Sequence, residues 1–279
     1  METKGFHANR KKPLKLFARS LGCVLLLCLL AGTNEAAEPM ESALIGFPAI
    51  YTLQGNKLAN GEFVQKLEKD LLHVRITYEF GDGHRVEEKA VFRQMPVFTQ
   101  EKWAWIESKR GEVLRQFQVD FKSGRAIAEK KDKGEVKRVV EELNVEPGKT
   151  FAGFGFVLAI KSLRERLIKG EPIELRAIAF TPKARVVPVE LSYAGIDQMS
   201  MSNRLVKGDG FVIHPKIPAI ARVFVVATDN RIWLTLPPVV GFLRWEGSLV
   251  ESGDPVIRVD LLPGERSGPA EKVGSKSQR

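Results

Sequence analysis

Three histidines outside the N-terminal leader, His73, His84 and His214, are the side chains best suited to general-base or metal chemistry. None has a second histidine four residues away or the Cys and carboxylate spacing of a zinc site. His73 falls on the polar side of an alternating strand, and His84 follows Gly81-Asp82-Gly83 at a hairpin tip, a poor place to exclude water. Adjacent carboxylates, Glu87 with Glu88 and Glu141 with Glu142, point to opposite faces if they lie on strands, so paired acid-base work is not expected of them. There is no Gly-x-Ser-x-Gly elbow, and the glycines sit in hairpin turns rather than in a phosphate-cradling loop. The run Phe151-Ala152-Gly153-Phe154-Gly155-Phe156 carries bulky rings where a phosphate would have to approach, and reads as a close-packed strand-to-helix junction. No catalytic residue, cofactor or metal is predicted, and the chain is read as a non-enzyme.

The apolar residues are more informative. Trp103 and Trp105 share a strand face with Glu101 and Glu107, at a sheet edge or pocket mouth. Phe156, Ile160, Leu163 and Leu167 recur at helical spacing, and Phe154 stands just before them at the entry to that helix. These seven residues are first of all core, and they are also the candidates to line a ligand cavity.

The elements that would position them are mostly strands. Leu72, Val74, Ile76, Tyr78 and Phe80 alternate with His73, Arg75, Thr77 and Glu79, and the same period of two recurs at 116–121, 173–177 and 257–261. Gly81-Asp82-Gly83, Ser123-Gly124, Asp132-Lys133-Gly134, Gly208-Asp209-Gly210 and Ser252-Gly253-Asp254 separate such runs with residues that tolerate tight hairpin turns. The turn spacing predicts an antiparallel meander of about 10 to 12 strands. One segment departs from it: Phe156, Ile160, Leu163 and Leu167 recur at helical spacing, with Lys161, Arg164, Glu165 and Lys169 on other faces and Gly170 as a stop. The expected fold is therefore mainly β, a large antiparallel meander forming a curled sheet or open barrel around one amphipathic helix near 156–169 of about 14 residues. One β domain over 38–262 is expected, followed by a Gly/Ser/Lys-rich tail, 263–279, with too few apolar residues to fold.

The leader has its own logic. Lys4, Arg10, Lys11, Lys12, Lys15 and Arg19 precede an apolar stretch at 21–30, which is followed by Ala31-Gly32-Thr33 and Ala36-Ala37. That order predicts a signal helix over 1–37, cleaved after Ala36 or Ala37. Ten apolar residues rise only about 15 Å against a hydrocarbon core of roughly 30 Å, so a permanent anchor is disfavoured. Leu30-Ala31-Gly32 is followed by Thr33 and not by the cysteine that lipid attachment needs. The only cysteines, Cys23 and Cys28, lie inside the leader, so the exported part has neither disulfide nor thiol nucleophile. Cleavage removes six basic and two acidic side chains from totals of 43 and 34, leaving an excess of five positive charges. A periplasmic, soluble protein with no later transmembrane span and no nucleic-acid partner is expected.

The order Leu163-x3-Leu167-x2-Gly170-Glu171-Pro172-Ile173, then an alternating strand to Phe180 and later Phe242-Leu243-Arg244-Trp245-Glu246-Gly247, resembles an uncharacterised family of exported bacterial β proteins, over 151–261. That family is in turn similar to the open barrels of lipoprotein-localisation (Lol) carriers, whose curled sheet cups a helix and takes up acyl chains. Thr181-Pro182-Lys183 and Ile217-Pro218-Ala219-Ile220 depart from the family pattern, and the resemblance implies no catalytic residue. It implies binding or carriage of an apolar or amphiphilic envelope ligand, a lipid or a lipoprotein. The alternatives are a non-enzymatic scaffold that recruits an envelope protein through its sheet edge, and a hydrolase using His214 or His84.

Overall fold

The computed structural model describes residues 41–181, 183–201, 204–216, 229–251 and 253–261. The leader with Cys23 and Cys28, Pro182, the segment Ile217-Pro218-Ala219-Ile220 and the tail 263–279 lie outside the described residues. All described elements belong to one compact unit, Pro39–Arg279.

A first run of strands comprises β1 (Leu44–Gly46), β2 (Ala49–Thr52), β3 (Lys57–Glu68), β4 (Leu71–Phe80), β5 (His84–Arg93), β6 (Thr99–Lys109), β7 (Glu112–Asp120), β8 (Arg125–Asp132) and β9 (Glu135–Glu142). Then come β10 (Thr150–Phe151), helix α1 (Gly155–Ile168) and a second run, β11 (Ile173–Phe180), β12 (Ala184–Met201), β13 (Arg204–Pro215), β14 (Asn230–Thr235), β15 (Phe242–Ser248) and β16 (Val256–Asp260). From β2 to β9 and from β11 to β16 sequential strands pair antiparallel, and β16 pairs with β2 to weld both runs into one sheet, in which, among the described residues, only β10 and β11 are parallel. β1 and β2 follow one edge of β3, Leu44 opposite Gln65 and Ala49 opposite Asn60, as one strand broken at Phe47-Pro48. Sixteen strands thus replace the ten to twelve expected among the described residues. Part of the surplus comes from elements with no readable alternation: β1 and β10 are three and two residues long, and β9 is exposed along most of its length.

The chain forces this sheet to curl. Its ends are β9 and β10, which are neighbours in sequence. Fifteen strands laid flat would span about 67 Å, whereas the connection from Glu142 to Thr150 reaches at most about 28 Å. The two ends do not pair, so the barrel stays open. Their inner faces nevertheless meet: Phe180 of β11 lies 4.5 Å, ring centre to ring centre, from Phe117 of β7 and 5.9 Å from Trp103 of β6.

Helix α1 has the predicted length of 14 residues. It ends in a Schellman arrangement: Gly170, at φ +78°, donates to Leu167 O and Glu171 donates to Arg166 O. Its first turns are buried on every side, from Gly155 through Ile160, because they lie inside the curl rather than on its surface. That enclosure corrects the expectation for Arg164, which the helical periodicity places on a polar face. Arg164 is buried and its Nε donates to Asp209 of β13 at 2.9 Å, while Tyr193 Oη donates to the other oxygen of Asp209 at 3.0 Å. Lys161 pairs at 2.6 Å with Glu41, which itself is held by Gln65 and Gln94, so the helix is tied to the segment that leads into β1.

Candidate functional site: an apolar cavity with one carboxyl group

The two largest apolar clusters share the interior, and Phe154, Phe242 and Trp245 touch both. Where they meet lies a cavity of about 80 Å³. Its floor is the inner face of β3 to β6, with Phe63, Ile76, Tyr78, Val86, Glu88 and Trp105. Its roof is the turn into α1, Gly153, Phe154 and Val157. Pro48, at the break between β1 and β2, and side chains of β15 and β16 close the side. Phe154 is wedged between Phe63 and Phe242, with ring centres 5.1 and 5.8 Å away. At one end Arg115 lies 5.0 Å from the Trp105 ring and binds Glu107, Glu251 and Asp254, fixing the loop after β15 whose Leu249 lines the cavity.

One group is chemically out of place on this floor. On β5 the inward positions are Val86, Glu88, Ala90 and Phe92, so Glu88 puts a carboxyl among apolar side chains. Its Oε1 accepts from Trp103 Nε1 at 2.8 Å and from the Phe154 amide at 2.7 Å. The Phe154 amide is the first free donor of α1, which has no side-chain cap of its own, so Glu88 caps the helix from a neighbouring strand. Gln100 clamps the same turn, donating to Ala152 O and accepting from Ala152 N. The turn fits against Glu88 because residue 153 is glycine: at φ +52° a Cβ there would lie 2.5 Å from Trp103 Nε1 and closer still to Glu88 Oε1.

The second oxygen, Oε2, has no partner among the described residues, yet it is not sealed off in the packed interior. Tyr78 Oη is in the same position. Opposite strands place the two residues diagonally, since Ile76 faces Glu88 and Tyr78 faces Val86. Burial raises the Glu88 carboxyl above the usual carboxylate range, against the lowering effect of its two hydrogen bonds. Burial, helped by the Glu88 charge, raises the Tyr78 phenol as well, so it remains a neutral donor.

A raised carboxyl keeps its proton in the fold at pH values where the unfolded chain has lost it, so stability falls as pH rises from the ordinary carboxylate range through the raised value. Glu88→Gln keeps an acceptor for both donors and removes that slope, which urea unfolding from about pH 4 to about pH 8 will show. Glu88→Ala strands the Trp103 and Phe154 donors, and is expected to cost about 1–3 kcal/mol for each at all pH values.

Of the residues expected to line a cavity, Phe154 and Trp105 do so. Trp103 stands one step behind, holding Glu88. Phe156, Ile160 and Leu167 are buried in the cluster between α1 and β11 to β14, and Leu163 packs against it. Glu101 does not share the Trp103 face, because a bulge opposite Val91 and Phe92 flips the parity of β6 and sends Glu101 outward to Arg93, at 2.9 Å. From the sequence Tyr78 is placed only on the apolar face of its strand and Glu88 only in a carboxylate pair, although a carboxylate in the Val86-x-Glu88-x-Ala90-x-Phe92 register is a readable signal.

The histidines lie elsewhere. His73 is 3.8 Å from Glu68, His84 3.2 Å from Asp82, and His214 Nδ1 is 2.7 Å from Asp229 in a pair about half exposed on both sides. None lines the cavity. Among the described residues no group of three His, Cys, Asp or Glu is placed to hold a metal, and no helix is long and apolar enough to cross a membrane.

Fold and site define an open, barrel-like antiparallel sheet wrapped on one helix, with an apolar cavity at the helix N-terminus. Two solved structures are similar to it in outline. A β-barrel-like protein of the domain of unknown function DUF1849 from Brucella abortus aligns over 79% of this chain and 97% of its own, at 9% identity and TM-score 0.43. The hypothetical lipoprotein YmcC from Escherichia coli aligns over 80% of this chain and 89% of its own, at 7% identity and TM-score 0.30. No family model and no curated protein matches the sequence.

Proposed function

We propose that this is an exported envelope protein that binds or carries an apolar or amphiphilic ligand, a lipid or the acyl part of a lipoprotein. The observation that supports the reading is the cavity: aromatic and aliphatic side chains from both halves of the sheet converge under the helix and leave space there. Close packing normally removes such a void, and apolar ligand sites have this lining. Its size limits what enters. About 80 Å³ is roughly half of the ~150 Å³ that admits a benzene ring in an engineered cavity, so only the end of a ligand fits without the sheet parting. Native mass spectrometry of gently purified protein is expected to release a bound lipid, and titration with a lipid extract to restore it to stripped protein. Loss of both signals would sink the reading. It would favour a scaffold instead, for which the open edge strand β9, with Val136 and Val140 exposed, offers a pairing surface.

A further inference from the structure

Resting on the reading of the cavity as a ligand site, we propose that Glu88 and Tyr78 select the ligand's polar group, so that the cavity takes a neutral hydroxyl-bearing amphiphile and rejects an anionic one. Three observations lead there. Glu88 Oε1 is saturated by Trp103 and the Phe154 amide, which fixes the carboxyl in place. Its Oε2 and the Tyr78 hydroxyl have no partner among the described residues, and both side chains line the same cavity. Neither oxygen is sealed into the packed interior, so both are open to a partner that enters the cavity, and a ligand group that hydrogen-bonds them replaces what water would otherwise supply. A hydroxyl fits both: it donates its hydrogen to Glu88 Oε2 and accepts one from Tyr78 Oη.

Charge decides against the alternative. The lining residues include no Lys, Arg or His, and Tyr78 is the titratable group beside Glu88. Ile76 faces Glu88 across β4, Trp105 across β6, and the helix side presents only the Phe154 amide. A ligand carboxylate or phosphate would thus put a second negative charge next to the first among apolar side chains. It enters only with a proton shared between the two groups, as in coupled carboxyl pairs.

The test uses hexan-1-ol and hexanoate as probes of one chain length and xenon as a purely apolar one, followed by NMR on the full exported chain. Wild type is expected to bind hexan-1-ol about tenfold more tightly than hexanoate near pH 8, with hexanoate weakening by up to about tenfold per pH unit as the shared proton is lost. Tyr78→Phe lowers hexan-1-ol affinity about fivefold and leaves xenon uptake unchanged. Glu88→Gln raises hexanoate affinity about tenfold and removes its pH dependence, because the carboxylate then meets two donors. A gain of that kind does not come from a damaged fold. Equal binding of both hexyl probes by wild type, with xenon still bound, overturns the selectivity and leaves the apolar site standing. Failure of all three probes overturns both.

Discussion

Arg164→Ala is expected to destabilise the fold by about 3–5 kcal/mol, a large part of the roughly 5–15 kcal/mol that holds a domain together. The side chains of Arg164 and Asp209 are 10% and 2% exposed, and Arg164 directs both Nε and Nη2 at the same Asp209 oxygen. Without the guanidinium, Asp209 keeps only the Tyr193 hydroxyl to offset a buried negative charge. The cost arises from the stranded carboxylate more than from the lost attraction. Replacing both partners by apolar residues, Arg164→Met with Asp209→Leu, should therefore recover most of the loss. Urea unfolding of the two variants at one pH checks this, and a single variant within about 1 kcal/mol of wild type would show that water reaches Asp209. Asp209 lies on β13 and Arg164 on α1, so the same measurement reports how firmly the helix is docked.

The second large effect is expected at Gly153. Valine there would have to adopt φ +52° and place its Cβ in the space filled by Glu88 Oε1 and Trp103 Nε1. Left-handed strain costs about 1–2 kcal/mol, and separating the Glu88 carboxyl from its donors costs about 1.5–3 kcal/mol per hydrogen bond to a charged group. A total loss above about 3 kcal/mol follows, together with loss of ligand binding, since the turn at 153 is the cavity roof. The glycine at the other end of the helix supplies the control. Gly170 has φ +78° but open space where a Cβ would stand, so Gly170→Ala carries the strain alone, about 1 kcal/mol. Equal losses at 153 and 170 in thermal or urea melts would mean that the 153 turn yields to a side chain, and would remove Glu88 from its assigned position.

Glu88 also shows where reading along the chain stops. Alternation in 72–80 marks the inner face of β4, and that face is as expected: Leu72, Val74, Ile76 and Tyr78 are buried. The helix, its 14 residues and its glycine stop were equally legible, because i to i+4 spacing and a left-handed terminal residue are local properties. Arg164 was misplaced because helical periodicity describes a helix with one wet face, whereas α1 enters a curled sheet that surrounds its first turns. Glu101 was misplaced because a single bulged residue reverses every side chain beyond it. Phe156, Ile160, Leu163 and Leu167 share their helical stripe with no signal of what it faces, and it faces β11 to β14 rather than the cavity.

By itself the sequence determined the class of this protein: a mainly antiparallel β chain with one helix, whose strands and turns follow from period-two alternation and from glycines where the backbone must reverse. Only the tertiary structure decided that the two ends of the sheet come together, that Phe154 is the wedge between two cores, and that Glu88, Tyr78 and Trp103 meet on one floor. The physical reason is range. Backbone periodicity is set by neighbours a few residues apart, whereas the cavity exists because β5 and the turn before α1, 66 residues apart in the chain, must share one carboxyl group.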